Sequence, residues 1–141
     1  MKLHIIARGR IGQSPEADLV QRYAMRLKGR LAITEVSESA PWPVPGQPPA
    51  ASRTVVMDER GKDLGSADLA AQLARWRDDG ARECRFLIGA ADGHQDGTRH
   101  SADLLLGFGR ATWPHMLVRA MLAEQLYRAL SILDGHPYHR A

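Results

Sequence analysis

The chain has one cysteine, three lysines and no long apolar run, and each scarcity excludes a class of protein. Because Cys84 has no second cysteine to pair with, an internal disulfide is excluded, and a reducing, cytoplasmic location is expected. No run approaches the roughly eighteen apolar residues of a membrane span, and the apolar stretch near the N-terminus is too short for a signal peptide. The length of 141 residues fits a single domain spanning residues 1–141.

Lysine is scarce because arginine takes its place: only Lys2, Lys28 and Lys62 are lysines among the 19 basic residues. The planar guanidinium group matches phosphate oxygens and stacks on bases, so this composition permits a nucleic-acid partner. The net charge of +3 is small, however, and codon usage in a GC-rich genome would produce the same bias. Charge alone therefore does not demonstrate a nucleic-acid partner.

The spacing of apolar residues alternates between strand-like and helix-like patterns along the chain. This predicts an α/β fold, a three-layer sandwich around a mainly parallel sheet. Strands are predicted over residues 3–7, 31–36, 54–58, 84–88 and 104–108, with loops at 59–62 and from 93 to about 100. Helices should begin at Ser14 and Ser66, whose side-chain oxygens can cap them, and the longest helix should cover 116–133. Residues 38–52 hold five of the eight prolines, so they should form an extended connector inside the domain.

Two glycine-containing loops follow predicted strands. The loop at 89–93 lets a ligand approach the backbone, although an ordinary turn has the same composition and the GxGxxG fingerprint of dinucleotide sites is absent. The other loop contains Gly9 and Gly12 after the first strand. An unrelated Rossmann-like enzyme would bind its ligand there, which is one alternative for this chain.

The longest predicted helix has an apolar face that carries one arginine. Arg119 falls on that face in the first turn, where it either needs an anionic or acceptor partner or reaches the surface from the helix end. Met121 and Ile132 interrupt the opposite face, as expected if part of that face contacts a partner chain. The polar positions on this opposite face are Glu124, Gln125, Arg128 and Ser131.

The C-terminal tail concentrates reactive side chains in a short segment stiffened by Pro137. Tyr138 can stack on a base, Arg140 can hold a phosphate, and a histidine can carry a proton near neutral pH. A metal site formed by His136 and His139 has no cysteine or acidic cluster to complete it, so no metal is predicted. A plain docking segment is the alternative interpretation of the tail.

Taken together and in order, these features resemble a known family. The resemblance rests on FLIGAADG at 86–93, RATWPHMLVR at 110–119, AEQLYRA at 123–129 and HPYHR at 136–140. These segments are similar to those of the ribosomal large subunit methyltransferase H family of the SPOUT superfamily. Its members use S-adenosylmethionine to methylate N3 of a pseudouridine in helix 69 of 23S ribosomal RNA. The match is strong from residue 84 to the end and looser before it.

The resemblance implies a C-terminal trefoil knot, which apolar patterning could not predict because true knots are almost absent from folds. It also implies that S-adenosylmethionine binds in loops that meet at the knot. Glycines there would admit the ligand to backbone amides, and the apolar side chains would form walls for adenine. The matching positions are Met57, Gly89, Phe108, Gly109, Arg110, Ala111, Thr112 and Trp113.

The resemblance further implies how the tail takes part in the reaction. His139 is the leading candidate for the base that removes the N3 proton, and Glu124 is a weaker one. Tyr138 would stack on or hydrogen-bond the target base, while Arg119 or Arg140 would hold the phosphate backbone. The tail is expected to complete the site of the other protomer in a homodimer. Further RNA contacts are expected from Arg128, His136 and Arg140.

The sequence departs from the family pattern in two places. Ala90 stands where the family usually has a second glycine, which could narrow the cofactor loop by one methyl group. The stretch 38–52 is shorter than in the family and lacks a helix there, so RNA contacts from that region are in doubt. A non-catalytic ribosome-binding or RNA-binding module of the same fold is the alternative function, and cofactor binding would distinguish the two.

Overall fold

The computed structural model describes residues 1–39, 51–90, 93, 94 and 96–140, so most of the predicted connector at 38–52 lies outside the described residues. The elements in the described part of the chain confirm all five predicted strands and all three predicted helices. In chain order they are β1 (Lys2–Arg8), α1 (Pro15–Arg26), β2 (Leu31–Val36), β3 (Ser52–Lys62), α2 (Ser66–Asp78), β4 (Glu83–Ile88), α3 (Asp96–His100), β5 (Leu104–Leu106) and α4 (His115–Leu133).

The five strands form one sheet in the order β2-β1-β4-β3-β5, and every neighbouring pair is parallel. The prediction of a mainly parallel sheet is confirmed. Because the strands all run the same way, their carboxyl ends meet at one edge, called here the carboxyl edge. Parallel sheets of this kind bind ligands in the crevice outside that edge.

The main core lies on one face of the sheet. Ile5, Val55 and Phe86 from three adjacent strands are fully buried there, and Leu73 of α2 and Leu126 of α4 pack onto them. Helix α4 contacts both α1 and α2, so the three long helices cover this same face. None of the helices in the described ranges is long and apolar enough to cross a membrane.

The opposite face of the sheet is covered more thinly. Its buried residues Ile6, Val56 and Leu87 are contacted by Ala102, which follows α3. Right-handed crossovers between parallel strands place α3 on this side. Among the described residues the third layer of the predicted sandwich is therefore one helix of five residues.

The two predicted helix caps have different outcomes. Ser14 caps α1 as predicted, since its side-chain oxygen accepts a hydrogen bond from the N–H of Ala17 at 3.0 Å. The prediction for Ser66 is wrong: the cap of α2 is Gly65, and the Ser66 hydroxyl donates to Gln125 of α4 at 2.7 Å. A partner on a distant helix has replaced the local capping bond.

Three further predictions are corrected by the structure. Residues 59–62 continue β3 instead of forming a loop, because the strand shifts its register on β5 between Met57 and Lys62. The predicted loop near residue 100 contains α3. Ser131 does not belong to a solvated stripe on α4, because it is buried and its hydroxyl donates to the carbonyl of Tyr127 at 2.8 Å.

Candidate active site

A cavity of about 590 Å³ opens at the carboxyl edge, between the ends of β3, β4 and β5 and the start of α4. It takes in seven of the eight residues that the resemblance assigns to the cofactor. The seven are Met57, Gly89, Phe108, Gly109, Ala111, Thr112 and Trp113. A cavity of this size suits a ligand of small-molecule dimensions. Gly9 and Gly12, where the alternative Rossmann-like site would lie, do not line this cavity.

Arg110 is the exception among the predicted cofactor residues. It lies between Gly109 and Ala111, which line the cavity, but its own side chain is exposed and does not line it. The prediction that Arg110 binds the cofactor stays a prediction, with its backbone placed between two lining residues. The neighbouring Gly109 has a φ of +88°, a conformation that glycine adopts without strain and that turns the chain at this point.

The backbone passes close to itself on two sides of the cavity. A Cβ on Gly89 would lie 3.0 Å from the carbonyl oxygen of Gly93. At the ends of β3 and β5 the approach is closer, since a Cβ on Gly107 would lie 2.6 Å from the carbonyl oxygen of Asp58. Side chains cannot be accommodated at such distances without movement of backbone. The cavity is therefore bounded partly by bare backbone, as a cradle for a closely bound ligand requires.

An ion pair in the cavity wall was missed by the sequence analysis. Arg99 of α3 donates to the Asp58 carboxylate at 2.6 Å. Burial opposes ionisation of Asp58, but the hydrogen bonds from Arg99 and from the N–H of Arg60, together with the charge of Arg99, outweigh it, and the pKa of this carboxyl is lowered. His94 lies beside them, and burial lowers the pKa of its imidazole, so it is neutral at pH 7. The position of Asp58 directly after an apolar strand was a usable signal, whereas Arg99 lies in a stretch without periodicity.

A hydrogen bond connects the loop of residues 108–113, which follows β5, to β3. The hydroxyl of Thr112 donates to the Glu59 carboxylate at 2.6 Å. In the same loop the indole N–H of Trp113 donates to the carbonyl of Phe108 at 2.9 Å. These two bonds fix the path of residues 108–113 over the cavity, so the loop is largely preformed.

The predicted catalytic residues of the tail form a separate cluster on α4. The hydroxyl of Tyr138 donates to Glu124 at 3.0 Å, and Arg128 donates to the same carboxylate oxygen at 2.5 Å. Arg128 also lies 3.1 Å from Nδ1 of His139 and 4.8 Å from the centre of the Tyr138 ring. Burial and the bond to Glu124 raise the pKa of Tyr138, so its hydroxyl stays protonated at neutral pH.

This tail cluster, comprising Glu124, Arg128, Tyr138 and His139, lies away from the cavity of its own chain. None of its residues lines that cavity, whose last lining residue on α4 is Val118. Arg128 lies ten positions further along the helix, which corresponds to about 15 Å at 1.5 Å per residue. Within one chain the structure therefore gathers seven of the predicted cofactor residues in the larger cavity and Glu124, Tyr138 and His139 in the tail cluster, while Arg119 lies elsewhere. The smaller cavity, lined by both Phe108 and Glu124, lies between the two groups.

Arg119 occupies a different place from the one predicted for a phosphate contact. Its side chain is only 1% exposed, so it does not reach the surface. It donates to Glu35 at 2.5 Å and to the carbonyls of Arg8 and Gly9 at 3.3 and 3.1 Å. The prediction that it needs an acceptor partner is confirmed. A contact from Arg119 to RNA is excluded in this arrangement, because the guanidinium group is enclosed by protein.

A second, smaller cavity of about 270 Å³ lies between α1 and α4. Leu19 and Tyr23 line it from α1, and Leu117, Met121 and Glu124 line it from α4. This surface includes the interruption of the polar stripe that the sequence analysis assigned to a partner chain. The remaining predicted RNA contacts, His136 and Arg140, are exposed in the tail.

Comparison with known proteins gives concordant results. The family model SPOUT_MTase, described as "Predicted SPOUT methyltransferase", matches residues 1–139. The chain is 64% identical over 141 residues to "Ribosomal RNA large subunit methyltransferase H" of Novosphingobium aromaticivorans, covering 99% of both chains. It is 62% identical to the protein of the same name from Erythrobacter litoralis, covering 100% of this chain and 99% of the relative.

A solved structure supports the fold independently. It is the crystal structure of a probable methyltransferase from Bordetella pertussis Tohama I, which aligns with a TM-score of 0.55 over 92% of this chain and 94% of the other. At 13% identity that likeness concerns the fold alone. The family match and the high identity along the whole length lead to one assignment: the chain belongs to the ribosomal RNA large subunit methyltransferase H family of SPOUT methyltransferases.

Proposed function

We propose that this protein transfers a methyl group from S-adenosylmethionine to N3 of a pseudouridine in helix 69 of 23S ribosomal RNA, in the cytoplasm. The observation that carries the proposal is the single cavity formed by seven of the eight predicted cofactor residues at the carboxyl edge. The relatives' name, ribosomal RNA large subunit methyltransferase H, supports the class of substrate. The choice of nucleotide and atom rests on the resemblance of the tail and of α4.

The residues of the cavity fit S-adenosylmethionine. Its volume of about 590 Å³ lies within the range for ligands of this size. Met57, Phe108 and Trp113 supply apolar surface for an adenine ring, and glycine backbone at Gly89, Gly107 and Gly109 lines the cavity. When bound, S-adenosylmethionine supplies an electrophilic methyl group. The protein's own contribution is to align the acceptor nitrogen, and alignment of this kind can lower a barrier by roughly 7–11 kcal/mol.

We also propose that the active site is shared between two protomers. No residue of the tail cluster lines the larger cavity of its own chain, and Arg128 lies about 15 Å beyond Val118 along α4, which favours a role for the cluster at the cavity of a second copy. The α1–α4 surface with Leu117 and Met121 is available for a two-fold contact. If α4 packs antiparallel against its symmetry mate there, the C-terminal part of one helix lies beside the N-terminal part of the other.

In this arrangement His139 accepts the N3 proton of the target base. Its Nδ1 is an acceptor for Arg128 in the isolated chain, which leaves the hydrogen of a neutral imidazole on Nε2. The ring therefore becomes a base only when the contact with Arg128 is released, as the tail moves onto the partner. Tyr138, protonated at neutral pH, then contacts the base, and Arg128, His136 and Arg140 contact RNA. Glu124 is the weaker candidate because Arg128 and Tyr138 already occupy its carboxylate.

We further propose that the C-terminal part forms the trefoil knot of the family, which the family match supports.

The function is tested by incubating the protein with labelled S-adenosylmethionine and ribosomes that lack this modification, followed by mapping of the methylated nucleotide. Label at N3 of the helix 69 pseudouridine is the expected result. Label at another nucleotide would refute the proposed specificity. Calorimetry without RNA distinguishes the enzyme from a non-catalytic module, because a module without a cofactor site would bind no S-adenosylmethionine.

The role of the tail is tested with His139→Ala. We expect turnover to fall about 100-fold or more, as for loss of a general base, while the affinity for S-adenosylmethionine changes little. His100→Ala is the control, since His100 is exposed on α3 and lines neither cavity. Equal loss of turnover and of cofactor affinity in His139→Ala would make the tail a structural element instead.

Sharing of the site is tested by co-expressing His139→Ala with a cavity variant, Gly89→Val, each inactive alone. In a mixed dimer one site keeps both an intact tail and an intact cavity. Random pairing should therefore restore about a quarter of the wild-type activity. Absence of any recovery in purified mixed dimers would show that each chain builds its own site.

A further inference from the structure

Three exposed arginines lie on segments at the carboxyl edge, where the cavity opens, and no step of the proposed reaction uses them. Arg10 lies in the loop between β1 and α1. Arg60 lies near the end of β3 and lines the cavity. Arg110 lies in the loop of residues 108–113, and its side chain does not line the cavity. Within the described residues none of the three forms an ion pair. Arg10 and Arg110 lie in loops after β1 and β5, Arg60 lies within β3, and all three strands end at the carboxyl edge. The three side chains are called here the arginine rim.

The carboxylates nearby are already engaged by other groups. Glu35 accepts from Arg119 and from the N–H of Ile11, and Asp58 accepts from Arg99. Burial opposes ionisation of both carboxyls, but these hydrogen bonds prevail and the pKa of each is lowered. Each of these two carboxylates is thus paired with a buried or half-buried arginine. Glu59, which also lines the cavity, accepts from the hydroxyl of Thr112. The three side chains of the arginine rim are exposed.

The loop that carries Arg10 is held in place from inside. Arg119 donates to the carbonyls of Arg8 and Gly9, directly before Arg10, and Ile11 donates its N–H to Glu35 directly after it. A guanidinium group presented from a fixed loop loses less freedom on binding than one on a mobile loop. Arg119 is thus a positioning residue for Arg10 and not itself an RNA contact.

The spacing of the arginine rim suits the sugar-phosphate backbone of a nucleic acid. Adjacent strands lie about 4.8 Å apart, so the ends of β1 and β5, three intervals apart in the sheet, lie about 15 Å from each other. Arg10 stands at one side of the cavity, and Arg60 and Arg110 stand at the other. Arginine forks pair with phosphate oxygens in two parallel hydrogen bonds, so a polyanion is the ligand that suits this spread of charge.

We propose that the arginine rim binds consecutive phosphates of the ribosomal RNA on both sides of the target nucleotide, so that the unpaired base between them enters the cavity mouth. This inference rests on the proposed function, of which it specifies the substrate contact. It adds an RNA surface on the cavity-bearing protomer to the contacts that the tail makes from the other. It also gives Arg110 a role that its outward direction allows.

The test compares two triple variants that lower the net charge by the same three units. The first, Arg10→Ala/Arg60→Ala/Arg110→Ala, removes the rim. The second, Arg75→Ala/Arg77→Ala/Arg82→Ala, removes three exposed arginines near the opposite edge of the sheet. Binding to large ribosomal subunits that lack the modification is measured from 50 to 300 mM salt. Binding of S-adenosylmethionine is measured separately by calorimetry, and thermal unfolding verifies that each variant is folded.

We expect the rim variant to bind subunits about 10- to 100-fold more weakly and to lose about 2 from its salt slope, since each single-strand phosphate contact contributes about 0.7. Its affinity for S-adenosylmethionine should fall by a smaller factor than its affinity for subunits, and the Arg→Lys triple variant should keep most of the salt slope because charge is retained. The opposite-edge variant should bind subunits like the wild type.

Three outcomes would overturn the inference. Equal weakening in both triple variants would mean that net charge acts without a defined surface. A larger loss of cofactor affinity than of subunit affinity would place the rim in the cofactor site. An unchanged salt slope would exclude phosphate contacts. Failure of the wild type to methylate ribosomes would refute the proposed function instead, and the binding comparison would still decide whether the rim contacts RNA.

Discussion

Replacement of Arg119 by methionine tests the internal support of the site most directly. The side chain is 1% exposed and donates three hydrogen bonds, one to Glu35 and two to the carbonyls of Arg8 and Gly9. Methionine has a similar length and fills most of the volume, so the change removes charge and donors without leaving a large cavity. The free energy of unfolding should fall because two buried carbonyls and one carboxylate lose their donor.

The expected loss in free energy of unfolding depends on whether water can replace Arg119 at each of its three acceptors. Breaking a buried ion pair costs roughly 3–5 kcal/mol when the remaining charge is enclosed. The Glu35 side chain is 37% exposed and can be rehydrated, so its share is smaller. The two carbonyls add roughly 1 kcal/mol each. We therefore expect a loss of about 3 kcal/mol in urea unfolding at fixed protein concentration, or about 10 °C in thermal midpoint.

The pH dependence adds a second, independent readout. The pKa of Glu35 is lowered from 4.5, by the N–H of Ile11 and by Arg119, against the effect of burial. A carboxyl with a lowered pKa in the folded state stabilises the protein above its unfolded value, and this stability is lost as pH falls through the folded value. In Arg119→Met the loss of stability below pH 4.5 should be shallower than in the wild type, because part of the lowering is gone.

Two controls make this prediction refutable. Arg75→Met changes an exposed arginine on α2 and should alter the free energy of unfolding by less than about 0.5 kcal/mol. A double-mutant cycle of Arg119→Met with Glu35→Gln should give a coupling of roughly 1–2 kcal/mol. If Arg119→Met is as stable as Arg75→Met, or if the coupling is zero, the network does not hold the loop before α1.

Two further predictions concern positions where burial decides the outcome. Gly107→Ala should abolish soluble expression or destabilise the protein by roughly 3 kcal/mol or more, because the new Cβ would lie 2.6 Å from the carbonyl oxygen of Asp58. Gly97→Ala is the matched control, since nothing lies within 4 Å of its Cβ, and comparable damage in both variants would contradict the steric explanation. Cys84 is fully buried, and burial raises the pKa of its thiol. Its reaction with a thiol reagent at pH 8 should be at least roughly a hundredfold slower in folded than in urea-unfolded protein, and labelling at equal rates would contradict this.

The elements that the sequence predicts correctly are those with a strong local signal. The apolar run ending at Ile88 and the helical spacing of Leu122 and Leu126 identify β4 and α4 because each pattern has one period and one buried face. Ser14 is predicted as a cap because its partner, Ala17, lies three residues away. In these cases both members of the decisive contact lie within one turn or one strand.

The errors occur where the decisive partner is distant in sequence. Ser66 has the residue type of a cap, yet it donates to Gln125, which lies 59 positions later. The extension of β3 beyond Met57 depends on pairing with β5, and the polarity of residues 59–62 gave no indication of it. The ion pair between Asp58 and Arg99 likewise depends on a register of strands that single-sequence patterns do not specify. Local signals cannot report contacts that only the folded chain creates.

The cofactor residues were located by a resemblance, and the structure adds the physical reason for their grouping. Residues 57, 89 and 108 are far apart in sequence, but residue 57 lies in β3, residue 89 directly follows β4 and residue 108 lies two positions after β5, three strands of one parallel sheet. Any parallel sheet with β3, β4 and β5 adjacent would gather these positions at its carboxyl edge. The topology therefore fixes where a ligand can bind, while Gly89 and the residues after β5 decide which ligand is accepted.

Arg119 shows where reasoning from pattern stops and structure is needed. A charged residue on an apolar helix face is recognisable from spacing alone, and so is its requirement for an acceptor. The identity of the acceptor is not recognisable, because Glu35 lies 84 positions earlier and reaches α4 only through the parallel pairing of β1 with β2. A phosphate and a buried carboxylate are chemically equivalent partners for a guanidinium group. The burial of Arg119 decides between the two partners, because a guanidinium group enclosed by protein cannot contact a phosphate. In the proposed RNA surface Arg119 therefore acts only by positioning the loop to which it donates hydrogen bonds.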